Sequence, residues 1–252
     1  MTTTSSWSRP HFVRGGEGDS GGNPLLFFAV LGTFDTSTPL SASKYASKGA
    51  PPGIEVMTQD EPQVLARLRS GWAWDQFTHA QPDVAKRVTT APMAFLLRGS
   101  PRDQRSLEYL RDAIGLLTYL VDCGGLAVND PQTLRWYSAN QWREQIFGND
   151  DPNAHATILV SPDENAPGRS WFHTRGMRKF GRPDLSVHGV TDNMREGVAD
   201  FCERMVQHQA LGAVIPDGMP VKMAMLPPGG KLYRAGHLED PDFNNEHLEL
   251  RW

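Results

Sequence analysis

Cysteine is nearly absent. Cys123 and Cys202 are the only two in 252 residues, which leaves no disulfide framework of the kind that staples small secreted domains. Both sit in apolar helical patterns, as buried free thiols of a reducing compartment would. Long hydrophobic runs are missing as well. The longest, Leu25–Leu31 and Ala113–Val121, fall well short of the roughly 20 residues that cross a bilayer, and residues 1–23 hold no apolar signal-peptide core. A surplus of positive charge is lacking too. Lys plus Arg number 25 against 29 Asp plus Glu, a net charge of −4, where a general nucleic-acid binder would carry a basic excess. These absences predict a soluble, cytoplasmic, bacterial-type protein with neither a membrane nor a nucleic acid as partner.

Familiar catalytic signatures are equally scarce. The chain has no P-loop, no dinucleotide glycine fingerprint, no Gly-x-Ser-x-Gly elbow and no His-Glu-x-x-His helix. Gly15-Gly16-Glu17-Gly18 follows no strand and so cradles no phosphate. The eight histidines show no close spacing with a second ligand pair. His155, His173 and His188 meet only if their strands are neighbours. No metal or cofactor is implied. Cys123 falls at a helix C-terminus, where the dipole opposes a thiolate.

What is present is an alternation of helix and strand signals. Residues 1–23 are rich in Ser, Gly and charge and read as a flexible tail, with Trp7 and Phe12 able to dock on the body. Leu25–Leu31 reads as a buried strand, and 33–53 as a long Ser/Thr/Pro/Gly loop. The spacing predicts a helix over 58–79, with Thr58 and Glu61 as a capping box, then a strand over 88–97. Ser100-Pro101-Arg102-Asp103 has the form of a helix start. Leu107, Leu110, Ile114, Leu117 and Val121 then keep one helical face. Ser138 and Gln141 form a second capping box, and 193–210 forms a further helix. Strands are expected at 126–128, 155–160, 170–173, 185–187, 221–226 and 247–250. The sum is an α+β fold, mostly antiparallel sheet packed by helices. A globular region over 24–252 would divide into two lobes near 148–153.

The most distinctive stretch runs from Trp171 to Leu185. It concentrates Arg175, Arg178, Lys179 and Arg182 around Gly176 and Gly181. Forked guanidinium donors suit a carboxylate or phosphate. A plainer reading makes Trp171, Met177 and Phe180 the core of a hairpin and the charges its solvated face. The acids Glu239, Asp240, Asp242, Glu246 and Glu249 would then be available to pair with it. Strand alternation and the turn at Gly176 place Arg178 and Lys179 at an exposed tip. They leave Arg175 partly buried against Asp184, Glu246 or Glu249. Thr174-x-Gly176-Met177-x-x-Phe180-Gly181-x-Pro183-Asp184-Leu185 resembles a Thr-x-Gly-x-x-x-Phe-Gly-x-Pro-Glu-Leu segment of a bacterial family of unknown function. The resemblance takes in about half the chain and implies a soluble α+β domain, with no catalytic residues to carry over.

The leading expectation is a non-catalytic protein that binds another protein, of toxin-neutralising (immunity) type, through Arg178, Lys179 and Arg182. The alternative is a hydrolase with a site built from His173, Arg175, His247 and Glu249. On one strand His247 and Glu249 share a face and could serve as an acid/base pair.

Overall fold

The structure, a computed structural model, describes residues 7–14, 21–240 and 243–252. Its elements form two antiparallel-rich sheets with helices, an α+β fold. They divide into two compact units, the first from Leu25–Arg102 and Ser106–Ala154 with Trp7, the second from His155–Trp252, Asp103–Arg105 and the described part of Ser8–Pro24. The main division falls just past the Gly148–Asn153 segment.

The first unit holds β1 (Leu26–Gly32), α1 (Ala42–Tyr45), β2 (Ile54–Gln59), α2 (Pro62–Leu68), α3 (Trp72–Ala80), α4 (Pro82–Thr89), β3 (Met93–Gly99), α5 (Glu108–Asp122), β4 (Gly125–Asp130), β5 (Arg135–Ser138) and α6 (Ala139–Gln141). Its sheet order is β2-β3-β1-β4-β5, every neighbour antiparallel. The central β1 is apolar throughout because both its faces are covered. Ala29 and Leu31 pack with Leu65, Phe77 and Val88 of α2–α4. On the opposite face, Phe28 and Tyr137 meet Trp142 edge-on. The Trp142 indole donates to Thr118 Oγ1 of α5 at 2.9 Å. Trp142 opens a π-helical turn, Trp142–Phe147, after the capping box of Ser138 and Gln141.

Three expectations change here. The helix predicted over 58–79 is interrupted. Thr58 and Gln59 finish β2, which pairs along β3 over six residues, and Gly71 at φ +82° separates α2 from α3. Residues 82–89 are helical, so β3 begins only beyond Pro92. Ser100–Asp103 lies outside any helix and α5 starts at Glu108; the Asp103 carboxylate is engaged by Arg9 and Arg182 instead.

The second unit holds β6 (Thr157–Pro162), β7 (Ser170–Arg175), β8 (Asp184–Val190), α7 (Arg195–Ala210), β9 (Met219–Pro220), β10 (Lys231–Ala235) and β11 (His247–Arg251), in the order β6-β7-β8-β11-β10-β9. Only β8 and β11 run parallel. α7 covers one face, where Val198, Phe201, Cys202 and Met205 pack on Phe172, Leu185, Val187, Leu232, Leu248 and Leu250. The strand expected over 221–226 is absent, and β10 takes its place beside β11. The segment read as a tail is docked where it is described. Arg9 is buried, and its guanidinium reaches Asp103 Oδ1 at 2.5 Å, Ala210 O at 3.0 Å and Phe180 O at 3.1 Å. Residues 1–6 and 15–20 of that segment lie outside the described residues.

Candidate functional site

The stretch from Thr174 to Leu185 is a folding device in which nearly every distinctive residue has a packing reason. Thr174 Oγ1 donates to Asp184 Oδ1 at 2.9 Å and accepts from the Leu185 backbone N–H at 2.8 Å, which closes the two ends of the connection between β7 and β8. Between them Met177–Phe180 forms a 3-10 turn bounded by Gly176 and Gly181 at φ +106° and +64°. A Cβ on Gly181 would fall 2.1 Å from Gly22 O, so glycine is required there for close approach as well as for its backbone angle. Met177 and Phe180 are fully buried. Asp184 also accepts from Met177 N and from Asn245 Nδ2 at 2.8 Å. Its burial nevertheless prevails over these bonds and raises the carboxyl pKa to about 6.

The basic residues are distributed differently from the sequence expectation. Lys179, placed at an exposed tip, is fully buried, and its Nζ donates to His155 O at 2.8 Å. Arg182 is buried too, with Nη1 on Asp103 Oδ2 at 3.0 Å and further bonds to the carbonyls of Ala213, Gly212 and Val13. Arg178 is half-buried and donates to Asn244 O at 2.9 Å. A compact 3-10 turn, rather than a hairpin tip, carries Lys179 inward. Neither Lys179 nor Arg182, expected to bind a partner, presents its charge at the surface. Of the acids available to this stretch by sequence, Glu246 meets Arg234 at 3.2 Å, Glu249 meets Arg251, and Asp242 lies outside the described residues.

The alternative set fares better in position. Trp171, His173 and Arg175 alternate along β7, and His247 and Glu249 along β11. Register places Leu159, His173, Ser186, Glu249 and Tyr233 opposite one another on successive strands, so all point to one side, away from α7. Trp171 anchors that side. Its ring stacks on His173 at 3.9 Å and on His188 at 5.1 Å, and its Nε1 donates to Ser186 Oγ at 2.9 Å. Phe243, from the segment between β10 and β11, stacks on His247 at 4.1 Å and meets His173 edge-on, with the Arg175 guanidinium 5.3 Å from its ring. Glu249 is two strands removed from His173, about 10 Å by strand spacing. Its Oε2 accepts from Arg251 Nε at 2.9 Å. An acid/base pairing of His247 with Glu249 is thus replaced by the ion pair of Glu249 with Arg251.

One carboxylate–imidazole pair escaped the sequence reading. Asp163 Oδ1 lies 3.3 Å from His188 Nδ1, and Oδ2 accepts from Gly189 N at 2.6 Å. Burial alone would raise the Asp163 pKa, but the bonds from Gly189, Asn165 and His188 outweigh it and lower the pKa. The fixed carboxylate holds His188 by one ring nitrogen while the residue remains half-exposed. The signal available in sequence was thin, because Asp163 and His188 are 25 residues apart. Their meeting depends on a register shift in β8 beside Gly189. His173 is held neutral, its pKa pushed down to about 4 by burial first and then by the charges of Arg175 and His188. His155 does not join it. That residue is buried elsewhere in the unit, its pKa lowered to about 3 by burial and by Lys179. Among the described residues, no group of three or more His, Cys, Asp or Glu side chains is placed to hold a metal ion.

Comparison with protein-family profiles, curated proteins and solved structures gives no match. No helix among the described residues is long and apolar enough to cross a membrane.

Proposed function

We propose that the protein is a non-catalytic binding protein that engages another protein through the side of the second sheet facing away from α7. The observation that carries this reading is the make-up of that side. Trp171, His188, Tyr233 and His247 are half-buried there, with Arg175 and Glu249 among them and Arg251 at the margin. Trp, Tyr and Arg are the side chains on which protein interfaces concentrate their energy. Here Trp171 and His188 are fixed in advance by stacking, by the Trp171–Ser186 bond and by the Asp163–His188 contact, which lowers the ordering cost of association. A toxin-neutralising role is the setting in which we place it. A tagged chain should retain one specific protein from its native host. Trp171→Ala and Tyr233→Ala should each weaken that retention at least tenfold, as loss of an interface anchor does. Retention unchanged by both variants would overturn the reading.

A hydrolase reading has its own support, the Asp163–His188 pair on the same side as His173, Arg175 and His247. In that reading His188 is the proton acceptor and Asp163 its positioning residue. Ester or amide hydrolysis that is present in the full chain and abolished by His188→Gln would favour it over the binding reading.

A further inference from the structure

The outermost strand of the second sheet, β6, is built unlike a protected edge. Edge strands ordinarily resist pairing through charge, a bulge, an interior proline or shortness. β6 has the sequence Thr-Ile-Leu-Val-Ser-Pro, with no charged side chain, and its six residues pair with β7 in an unbroken register. Proline occurs only at its last position. Val160 is 45% exposed, one of the most exposed large apolar residues described.

The direction of its main-chain groups follows from one bond. Asp163 N donates to Arg169 O at 3.0 Å, and the register Thr157↔Arg175 to Pro162↔Ser170 continues directly into that pair. Hydrogen-bonded and non-bonded pairs alternate along an antiparallel ladder. Leu159 and Ser161 therefore spend their N–H and C=O groups on β7. Ile158 and Val160 direct theirs outward, beyond the sheet.

We propose that β6 pairs antiparallel with β6 of a second copy of this chain, about a two-fold axis passing at Leu159. That register sets Ile158 opposite Val160 of the partner subunit, and Val160 opposite Ile158 of the partner subunit. Each of these pairs exchanges both main-chain bonds, so every outward group of the two residues is used. Pairing about Val160 instead would set Ile158 against Pro162, which has no N–H to return. The side chains agree with the first register. The β-branched residues Ile158 and Val160 become cross-strand neighbours on the α7 side. Leu159 meets its own copy on the other side. Ser161, the smallest side chain of the strand, falls opposite Thr157, where burial leaves least room. With no charge on the strand, the two-fold brings no like charges together, and the interface is self-complementary as a two-fold interface must be.

The test is the mass of the full chain in solution by light scattering, followed over a dilution series. A dimer of twice the 28.0 kDa chain mass is expected, dissociating on dilution. Val160→Lys should give the monomer mass and melt at the midpoint of the unsubstituted chain diluted to its monomer. Val160→Pro provides a second variant that removes only an outward N–H and leaves the β7 ladder whole. Leu159→Cys should cross-link to its own copy on mild oxidation, while Ile158→Cys and the unsubstituted chain should not. A chain monomeric at every concentration overturns the proposal. So does a dimer that survives both Val160 variants, or one in which Leu159→Cys fails to cross-link.

Discussion

The Asp103 carboxylate lies between two buried guanidinium groups, those of Arg9 and Arg182. Removing one member of such a set strands its partners, which commonly costs about 3–5 kcal/mol. Asp103→Ala should therefore lower the unfolding free energy by about that amount in urea titration, and a loss within 0.5 kcal/mol, typical of a surface substitution, would mean the charges are not coupled. Histidine gives a second expectation at this scale. His173 and His155 are neutral in the fold, with pKa values lowered to about 4 and about 3. The unfolded chain therefore binds more protons than the folded one below the ordinary histidine value near 6.5, and stability falls as pH drops through that window. Asp184, raised to about 6, works in the opposite direction between roughly 4 and 6. Two histidines oppose one carboxylate, so melting midpoints should decline from pH 7 toward pH 4. His173→Phe, which keeps a ring against Trp171, should decline less steeply. Equal slopes would place His173 in solvent. Sequence located the glycines and buried apolar residues of the 174–185 stretch, because their types constrain backbone and packing locally. It misplaced Lys179, because its burial depends on a carbonyl at His155 that no local pattern announces.

Among elements, α5 is the clearest in sequence and the best seated in structure. Leu107, Leu110, Ile114, Leu117 and Val121 recur at helical spacing, and all are buried. Leu117→Ala should cost about 2–5 kcal/mol by calorimetry or denaturant unfolding. Trp72→Ala, on a side chain 57% exposed at the start of α3, should stay within about 0.5 kcal/mol. The Ser138–Gln141 capping box was likewise legible, because both halves of it are local. The Thr58–Glu61 signal misled for the opposite reason. Its capping contest was decided by six residues of pairing with β3, distant in sequence, rather than by Thr58 itself. β10 was passed over because its register partners on β11 lie across a connection rich in charge and turn residues.

At the scale of the molecule, the two sheets solve burial in different ways, and composition foretold only their common class. The first buries both faces of its central strand, and the second is apolar toward α7 and mixed on the other side. Strand alternation alone put His173 with Arg175 and His247 with Glu249, and the register through β8 brings the two pairs to one side. Trp171, Phe243 and the Asp163–His188 pair that give the site its geometry required strand order. The N-terminal residues were misjudged because polar composition hides Arg9, whose partners lie 94 and more positions away. A chain lacking residues 1–14 should accordingly melt roughly 6 °C or more below the full chain, the shift expected for losing a buried ion pair in a protein of this size. An unchanged midpoint would mean that the docked segment contributes nothing.

The wide sequence spacing of Arg9, Asp103 and Arg182 also bears on how the protein is made. A ribosome releases Arg9 and Asp103 long before it has added Arg182 or the strands that follow. The first unit has all its strands once residue 154 has emerged, whereas the nascent chain must keep two basic and acidic segments waiting for a partner still to be translated. Until that partner arrives, Arg9 and Asp103 lack the third member of their ion-pair set. A gene cut at the boundary before His155 would yield a polypeptide that keeps Arg9 and Asp103 but lacks Arg182, the second cation on that carboxylate.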